Sequence, residues 1–271
     1  MESNVITVFM GGDVYSESGI CAVEKKLKPF IKKHQIDFVI LNAENASGGY
    51  GLLEYDAKRL FDAGADVLTG GNHIFEKREA FPFLNEESRV LRPANYPELG
   101  GIDFAELPEI PGRGFGFYEK NGITFAVLNL QGREFMTALD CPFKTSSRFV
   151  QEAQQKDAVL LVDFHAESNQ EKEALGFFLD GKASAVCGTH THVQTADEKI
   201  LPQGTAYITD LGMTGPLESV IGASADIAIK RNLTQILYKL EDAQSEPMLQ
   251  GVLIKIDADT KKAASLERVS C

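Results

Sequence analysis

Several protein classes are excluded by what this sequence lacks. Its four cysteines, Cys21, Cys141, Cys187 and Cys271, are widely scattered and form no C-x-x-C pair, so they specify neither a thiolate zinc site nor a redox motif and read as free thiols. Basic residues are in deficit: 27 Lys+Arg against 39 Asp+Glu gives 27 − 39 = −12. Long nucleic acid and anionic lipid are gripped without sequence preference through clustered Lys and Arg, and this balance argues against both as partners. No stretch approaches ~18 consecutive apolar residues, so no membrane span is expected. The opening Met1 to Phe9 reads as a first strand with no basic region or cleavage signal, and a cytoplasmic location is the expectation. Internal repeats, low-complexity tracts and linker-like segments are absent too, which leaves residues 1–271 as one expected domain.

What is present is the profile of a folded chain, with 44% hydrophobic and 24% charged residues. Short apolar runs at Val5–Met10, Phe38–Leu41, Asp66–Thr69, Thr124–Leu128, Val159–Phe164, Ala185–Cys187 and Ala206–Thr209 read as strands, several of them buried on both faces. Between them lie helical stripes: Val23, Leu27, Phe30 and Ile31; Ala57, Leu60, Phe61 and Gly64; Phe149, Val150 and Ala153; and Ala174, Phe177 and Phe178. Alternating strands and helices make this an α/β chain. From Arg92 to Gly116 the prolines and glycines are too dense for a long helix and predict an irregular excursion. Asn232–Leu240 and Gln250–Ile256 read as a terminal antiparallel pair of strands.

In α/β sheets, ligands bind at the carboxyl ends of the strands. Here those ends carry Gly11-Gly12-Asp13, Asn42-Ala43-Glu44-Asn45, Gly70-Gly71-Asn72-His73, His165, and Gly188-Thr189-His190-Thr191-His192. Of the five histidines only His34 lies elsewhere. Taken singly, Asp13 reads as a turn cap, Glu44 as a solvated carboxylate and Asn45 or Asn72 as a turn residue. Seven nitrogen and oxygen donors at five strand ends instead point to a metal centre. His190-Thr191-His192, read as extended backbone that sends the two side chains to opposite sides, is expected to give one histidine to each of two cations, with Glu44 bridging them. With Asp13 and Glu44 the only ionised ligands, two divalent ions leave +4 − 2 = +2, enough to draw a phosphate despite the acidic whole.

The sequence resembles the metallophosphoesterase (calcineurin-like) superfamily and, within it, the YmdB-like phosphodiesterases. The resemblance runs through Gly12-Asp13-Val14, Asn42-Ala43-Glu44-Asn45, Gly71-Asn72-His73, Asp163-Phe164-His165-Ala166-Glu167 and Gly188 to Thr195. Arg92 to Pro97, Asp140 to Phe143 and Asp210 to Pro216 add to it, over roughly residues 5 to 237. Tyr15, where the wider superfamily often has a histidine, and Glu44, where it usually has a bridging aspartate, both fit the YmdB-like branch. The fold implied is an α/β/β/α sandwich of two packed mixed sheets flanked by helices.

The resemblance further implies one metal held by Asp13, Glu44, Asn45 and His192, and a second held by Glu44, Asn72, His165 and His190. His73 is left free as proton donor. Iron or manganese are the usual occupants, with zinc a further option. The implied activity is hydrolysis of small phosphodiesters, 2′,3′-cyclic nucleotides being suggested, through attack of a metal-bridging hydroxide with His73 as general acid. A homo-oligomer is in keeping with the family. Asp163 and Glu167 are expected to orient His165 or compete as ligands, with Glu167 read as opening the next helix. Asp210 and Thr214 are expected to line the pocket, and Arg92 and Arg133 are weaker phosphate contacts. Two other functions fit the same residues: a metal-binding regulatory or scaffold protein with little turnover, and a phosphomonoesterase or short-RNA nuclease.

Overall fold

The computed structural model describes residues 5–97, 99 and 109–271. The first half runs β1 (Val5–Gly11), β2 (Asp13–Val14), α1 (Ser16–His34), β3 (Phe38–Asn42), α2 (Glu54–Asp62), β4 (Val67–Thr69), α3 (Phe81–Glu86) and β5 (Val90–Leu91). It continues with β6 (Phe115–Lys120), β7 (Ile123–Gln131), α4 (Pro142–Gln155), β8 (Val159–His165), α5 (Asn169–Phe178) and β9 (Ala185–Thr189). The last part holds β10 (Lys199–Ile200), β11 (Ala206–Ile208), β12 (Met213–Pro216), α6 (Ala225–Thr234), β13 (Pro247–Met248), β14 (Gln250–Asp257) and β15 (Ala263–Ser270). No helix among the described residues is long and apolar enough to cross a membrane.

Two six-stranded sheets form, in the orders β15-β14-β1-β3-β4-β5 and β10-β11-β9-β8-β7-β6, with a small third sheet β13-β12-β2 beside them. Side-chain alternation along each strand splits the apolar residues into three layers. Ile6, Val8 and Met10 of β1 and Phe38 and Ile40 of β3 face Phe125, Val127, Val159, Leu161, Cys187 and Ile208 of the other sheet. The intervening Phe9, Val39 and Leu41 face Ile20, Val23 and Leu27 of α1 and Ala57 and Leu60 of α2. Ala126, Leu128, Leu160 and Val162 face Val150 and Ala153 of α4 and Leu175 of α5. The layers are therefore helix, sheet, sheet, helix. Phe38 and Phe125 stack across the central layer with centroids 4.1 Å apart at 8°, and truncating either to alanine would cost about 3–5 kcal/mol.

Three local expectations are corrected. Asn232–Leu240 is not a strand: residues up to Thr234 finish α6, and β14 pairs antiparallel with β1 and β15 instead. The Ala174, Phe177 and Phe178 stripe lies on a helix but on its outer face, Phe177 being 56% exposed, because Lys172, Leu175 and Gly176 take the inner one. Gly64 lies beyond the end of α2, at φ +116. β6 and β15 were not anticipated; with burial patterns of mixed exposure they are edge strands whose apolar runs are broken by charge. The described part of Arg92–Gly116 is irregular up to Phe115, where β6 begins; residues 98 and 100–108 of it lie outside the described residues.

Candidate metal centre

The strands β1, β3 and β4 run parallel, as do β7, β8 and β9, so their carboxyl ends open on one rim. The two rims are tied together across the central layer. Asn42 Nδ2 donates to Asp163 Oδ2 at 3.0 Å, Thr69 Oγ1 donates to the same oxygen at 2.5 Å, and the Gly70 amide donates to Asn129 Oδ1 at 3.0 Å. These buried bonds bring donors from both halves of the chain to one place. Gly71 shows how tight that place is: a Cβ there would stand 2.3 Å from His165 Cδ2 and 2.4 Å from Glu44 Oε2.

Two quartets of donors form, sharing Glu44. In the first, Asn45 Nδ2 lies 3.4 Å from Asp13 Oδ1, 3.3 Å from Glu44 Oε1 and 3.2 Å from His192 Nε2. Turning that amide over puts Oδ1 at the same point. In the second, His165 Nε2 lies 2.9 Å from Glu44 Oε1, 3.0 Å from Asn72 Oδ1 and 3.0 Å from His190 Nδ1. Glu44, His165 and His190 each bring one ligand atom within 4.8 Å of the others.

The outward nitrogen of each imidazole is engaged, which decides what faces inward. His192 Nδ1 donates to the Ile221 carbonyl at 3.0 Å. Thr189 Oγ1 gives its hydrogen to Asp163 Oδ1 at 2.7 Å, so at 3.0 Å from His165 Nδ1 it accepts. His190 Nε2 lies 3.1 Å from Glu167 Oε2. His165 Nε2, His190 Nδ1 and His192 Nε2 are thereby turned into the cage, among carboxylate and amide oxygens, where each can take a proton or a metal ion.

Such a convergence of acceptors calls for positive charge. Asp13 and Glu44 are both buried, and among the described residues the groups paired with them are histidines, not Lys or Arg. Two buried carboxylates without cationic side chains are costly unless an ion or a proton joins them. Burial opposes charge on His165, yet the Glu44 and Asp13 carboxylates outweigh it and raise the imidazole pKa to about 9. Burial likewise opposes charge on Glu44, and the His165 imidazole overrides it, to about 2. Burial and the neighbouring His165 push His190 down to about 3, keeping it neutral. The donor set therefore fits cations of the borderline kind that take imidazole and carboxylate together.

The His190 and His192 side chains part company, but not because of extended backbone, which would aim residues i and i+2 at one face. Both sit at positive φ, 103° and 64°, in a bent loop. That loop is held from below by Asp210, whose Oδ2 accepts from the Thr191 amide at 3.0 Å and from Lys172 Nζ at 2.8 Å. Asp210 is thus a buried support and not a pocket wall, and Thr214, buried as well, donates to the Gln250 carbonyl at 3.2 Å. Glu167 does not open α5; Ser168 caps that helix by accepting from the Glu171 amide at 3.2 Å, and Glu167 turns to His190. Arg133 lies 3.8 Å from Glu171 and Arg92 donates to the carbonyls of Pro93 and Pro111.

His73 stands beside the cage without sharing its contacts. Its amide donates to Glu44 Oε2 at 2.8 Å, while its ring, partly exposed, lies edge-on to Tyr50 at 5.0 Å. Nδ1 is buried without a hydrogen bond, 3.5 Å from Glu76 Oε1. The supporting roles of Thr189 and Asp210, the burial of Lys172 and the Tyr50 contact were not legible in the sequence. No spacing marks them; Lys172, lying mid-helix, carries no signal of burial.

Known proteins resemble this chain over nearly its whole length. A 2′,3′-cyclic-nucleotide 2′-phosphodiesterase from Bacillus subtilis (strain 168) is 43% identical over 258 residues, covering 95% of this chain and 94% of its own. A crystal structure described as a novel phosphatase from Mycoplasma pneumoniae is 32% identical with a TM-score of 0.89, over 99% of this chain and 94% of that one. A hypothetical protein from Thermus thermophilus is 37% identical with a TM-score of 0.88, over 98% of this chain and 99% of that one. The family model described as YmdB-like protein matches residues 9–269. On that match and those identities, the chain belongs to the YmdB-like family.

Proposed function

We propose that this protein is a metal-dependent phosphoester hydrolase that cleaves small phosphodiesters, with 2′,3′-cyclic nucleotides as the substrate class. The observation that carries the reading is the pair of donor quartets joined at Glu44. Asp13, Glu44, Asn45 and His192 would hold one cation and Glu44, Asn72, His165 and His190 the other. When bound, such ions lower the pKa of a coordinated water from 15.7 towards ~7 and take up charge on the phosphate oxygens.

The chain's own residues do the rest. Asp163, through Thr189, keeps His165 Nε2 turned inward, and Glu167 does the same for His190 Nδ1. His73, anchored through its amide on the bridging Glu44 and with no place among the ligands, is the group that hands a proton to the departing alkoxide. The name of the Bacillus subtilis relative supports the cyclic nucleotide as substrate. Iron or manganese, soft enough for imidazole and hard enough for carboxylate, suit the mixed donors.

The test is hydrolysis of a 2′,3′-cyclic nucleotide, a 3′,5′-cyclic nucleotide, a phosphomonoester and single-stranded RNA, before and after chelation and metal reloading. Metal-restored turnover fastest on the 2′,3′-cyclic nucleotide is expected. Metal uptake with no turnover on any diester would overturn the reading in favour of a scaffold.

A further inference from the structure

The loop that follows Glu44 and Asn45 carries a feature that metal binding does not explain. Tyr50 sits at its tip, 44% exposed, between Gly49 at φ +87 and Gly51 at φ +79. The loop beneath it is well secured. The Ser47 amide donates to the Gly51 carbonyl at 3.0 Å, and Ser47 Oγ donates to Asp56 Oδ2 at 2.6 Å while accepting from the Leu53 amide at 2.7 Å.

Position adds the second half of the case. The Tyr50 ring meets the His73 ring at 5.0 Å and 73°. On the other side of the loop, Gly49 leaves only 3.3 Å between a Cβ and the Tyr15 hydroxyl, and Tyr15 in turn packs edge-on against His192 at 5.9 Å. Tyr50 therefore touches the proposed proton donor directly, and its loop reaches a donor of one quartet through Tyr15. A phosphodiester seated on the cage between His192 and His73 would extend its organic substituent past that ring.

We propose that Tyr50 is a specificity-determining residue: a platform on which the nucleobase of the substrate stacks while its phosphate occupies the cage. The inference rests on the function proposed above and deepens it. Base–aromatic stacking tolerates any base, since every base has a π-face, so Tyr50 selects nucleotides over base-free cyclic phosphates without choosing one base sharply. Purine nucleotides, having the larger face, bind more tightly than pyrimidine ones.

The experiment compares 2′,3′-cyclic AMP with glycerol 1,2-cyclic phosphate, which keeps the five-membered cyclic diester and lacks a base. The holoenzyme is used with Tyr50→Phe, Tyr50→Leu and Tyr50→Ala variants of matched metal content and melting temperature. In Y50A and Y50L, KM for 2′,3′-cyclic AMP is expected to rise roughly tenfold or more, as loss of one stacked base does, with kcat kept. Y50F restores it, and both constants for the glycerol compound stay as in the unaltered protein. Equal losses on both substrates, or a fall in kcat alone, would mean that Tyr50 only steadies His73, and would overturn the proposal. So would a Y50L enzyme with unchanged KM. Failure of the unaltered holoenzyme to hydrolyse either compound shows before any variant is made, and it removes the functional reading along with the platform.

Discussion

Lys172 Nζ and Asp210 Oδ2 face each other at 2.8 Å, both side chains almost wholly buried, one on α5 and one on the turn after β11. The pair lies directly under the His190-Thr191-His192 loop, since the same Asp210 oxygen accepts from the Thr191 amide. Removing the cation alone strands a carboxylate in a place water cannot reach. Lys172→Met is expected to lower stability by about 3–5 kcal/mol, read from urea unfolding. The double variant Lys172→Met, Asp210→Asn should recover part of that loss, and an unchanged midpoint in the single variant would show that the pair carries no weight.

Thr189 decides which nitrogen of His165 bears the hydrogen, because its own hydroxyl hydrogen goes to Asp163. Valine at 189 keeps the shape and removes the acceptor. Metal affinity is expected to fall roughly 10- to 100-fold, measured by competition with a chromogenic chelator. His190→Ala should go further and reduce bound metal from two ions to one per chain, counted by elemental analysis.

In the proposed mechanism proton delivery and metal holding fall to different residues, so they should separate in one experiment. His73→Ala is expected to keep its metal and lose about 10²- to 10⁴-fold in kcat on diesters with poor leaving groups. Esters of acidic phenols, which leave without a proton, should be spared. A uniform loss across leaving groups would contradict the acid role.

Chelation should also show in stability. If the cage holds cations in the folded chain alone, their removal is expected to lower the melting temperature, and the shift should grow with the logarithm of added metal. A melting temperature indifferent to metal would argue against a filled cage.

Away from the site, Arg59 joins α2 to α1 through Glu17 and Glu24, with contacts of 2.7 and 2.8 Å. The Arg59 guanidinium holds both carboxyls below their ordinary range. Groups whose pKa is lowered on folding stabilise above the unfolded value, and the contribution is lost as pH falls through the folded one. Arg59→Met should therefore cost melting temperature at neutral pH and converge with the unaltered protein in acid, below the ordinary carboxylate range, once both carboxyls have taken up protons. The groups are solvent-facing, so the difference should shrink in high salt.

Much of the fold could be read from local pattern. The runs at Val5, Phe38, Val159 and Ala185 are central strands covered on both faces, and central strands are written as uninterrupted apolar stretches. Edge strands such as Phe115–Lys120 and Ala263–Ser270 bear charge on their open sides and lose that mark. Asn232–Leu240 misled because Leu233, Ile236 and Leu237 are apolar yet exposed, so their spacing reflects neither a sheet face nor a core stripe.

The chain order of donors and glycines determined by itself which residues stand at the strand ends, since strand termini follow from where apolar runs stop. Only the tertiary structure decided that the ends of two separate sheets share one rim, and that positive φ at His190 and His192 divides them between two quartets. Those outcomes depend on contacts between residues more than a hundred positions apart, such as Asn42 with Asp163. Spacing along a chain carries no record of such a contact, and the energy that enforces it is felt only after both sheets have closed on their common core.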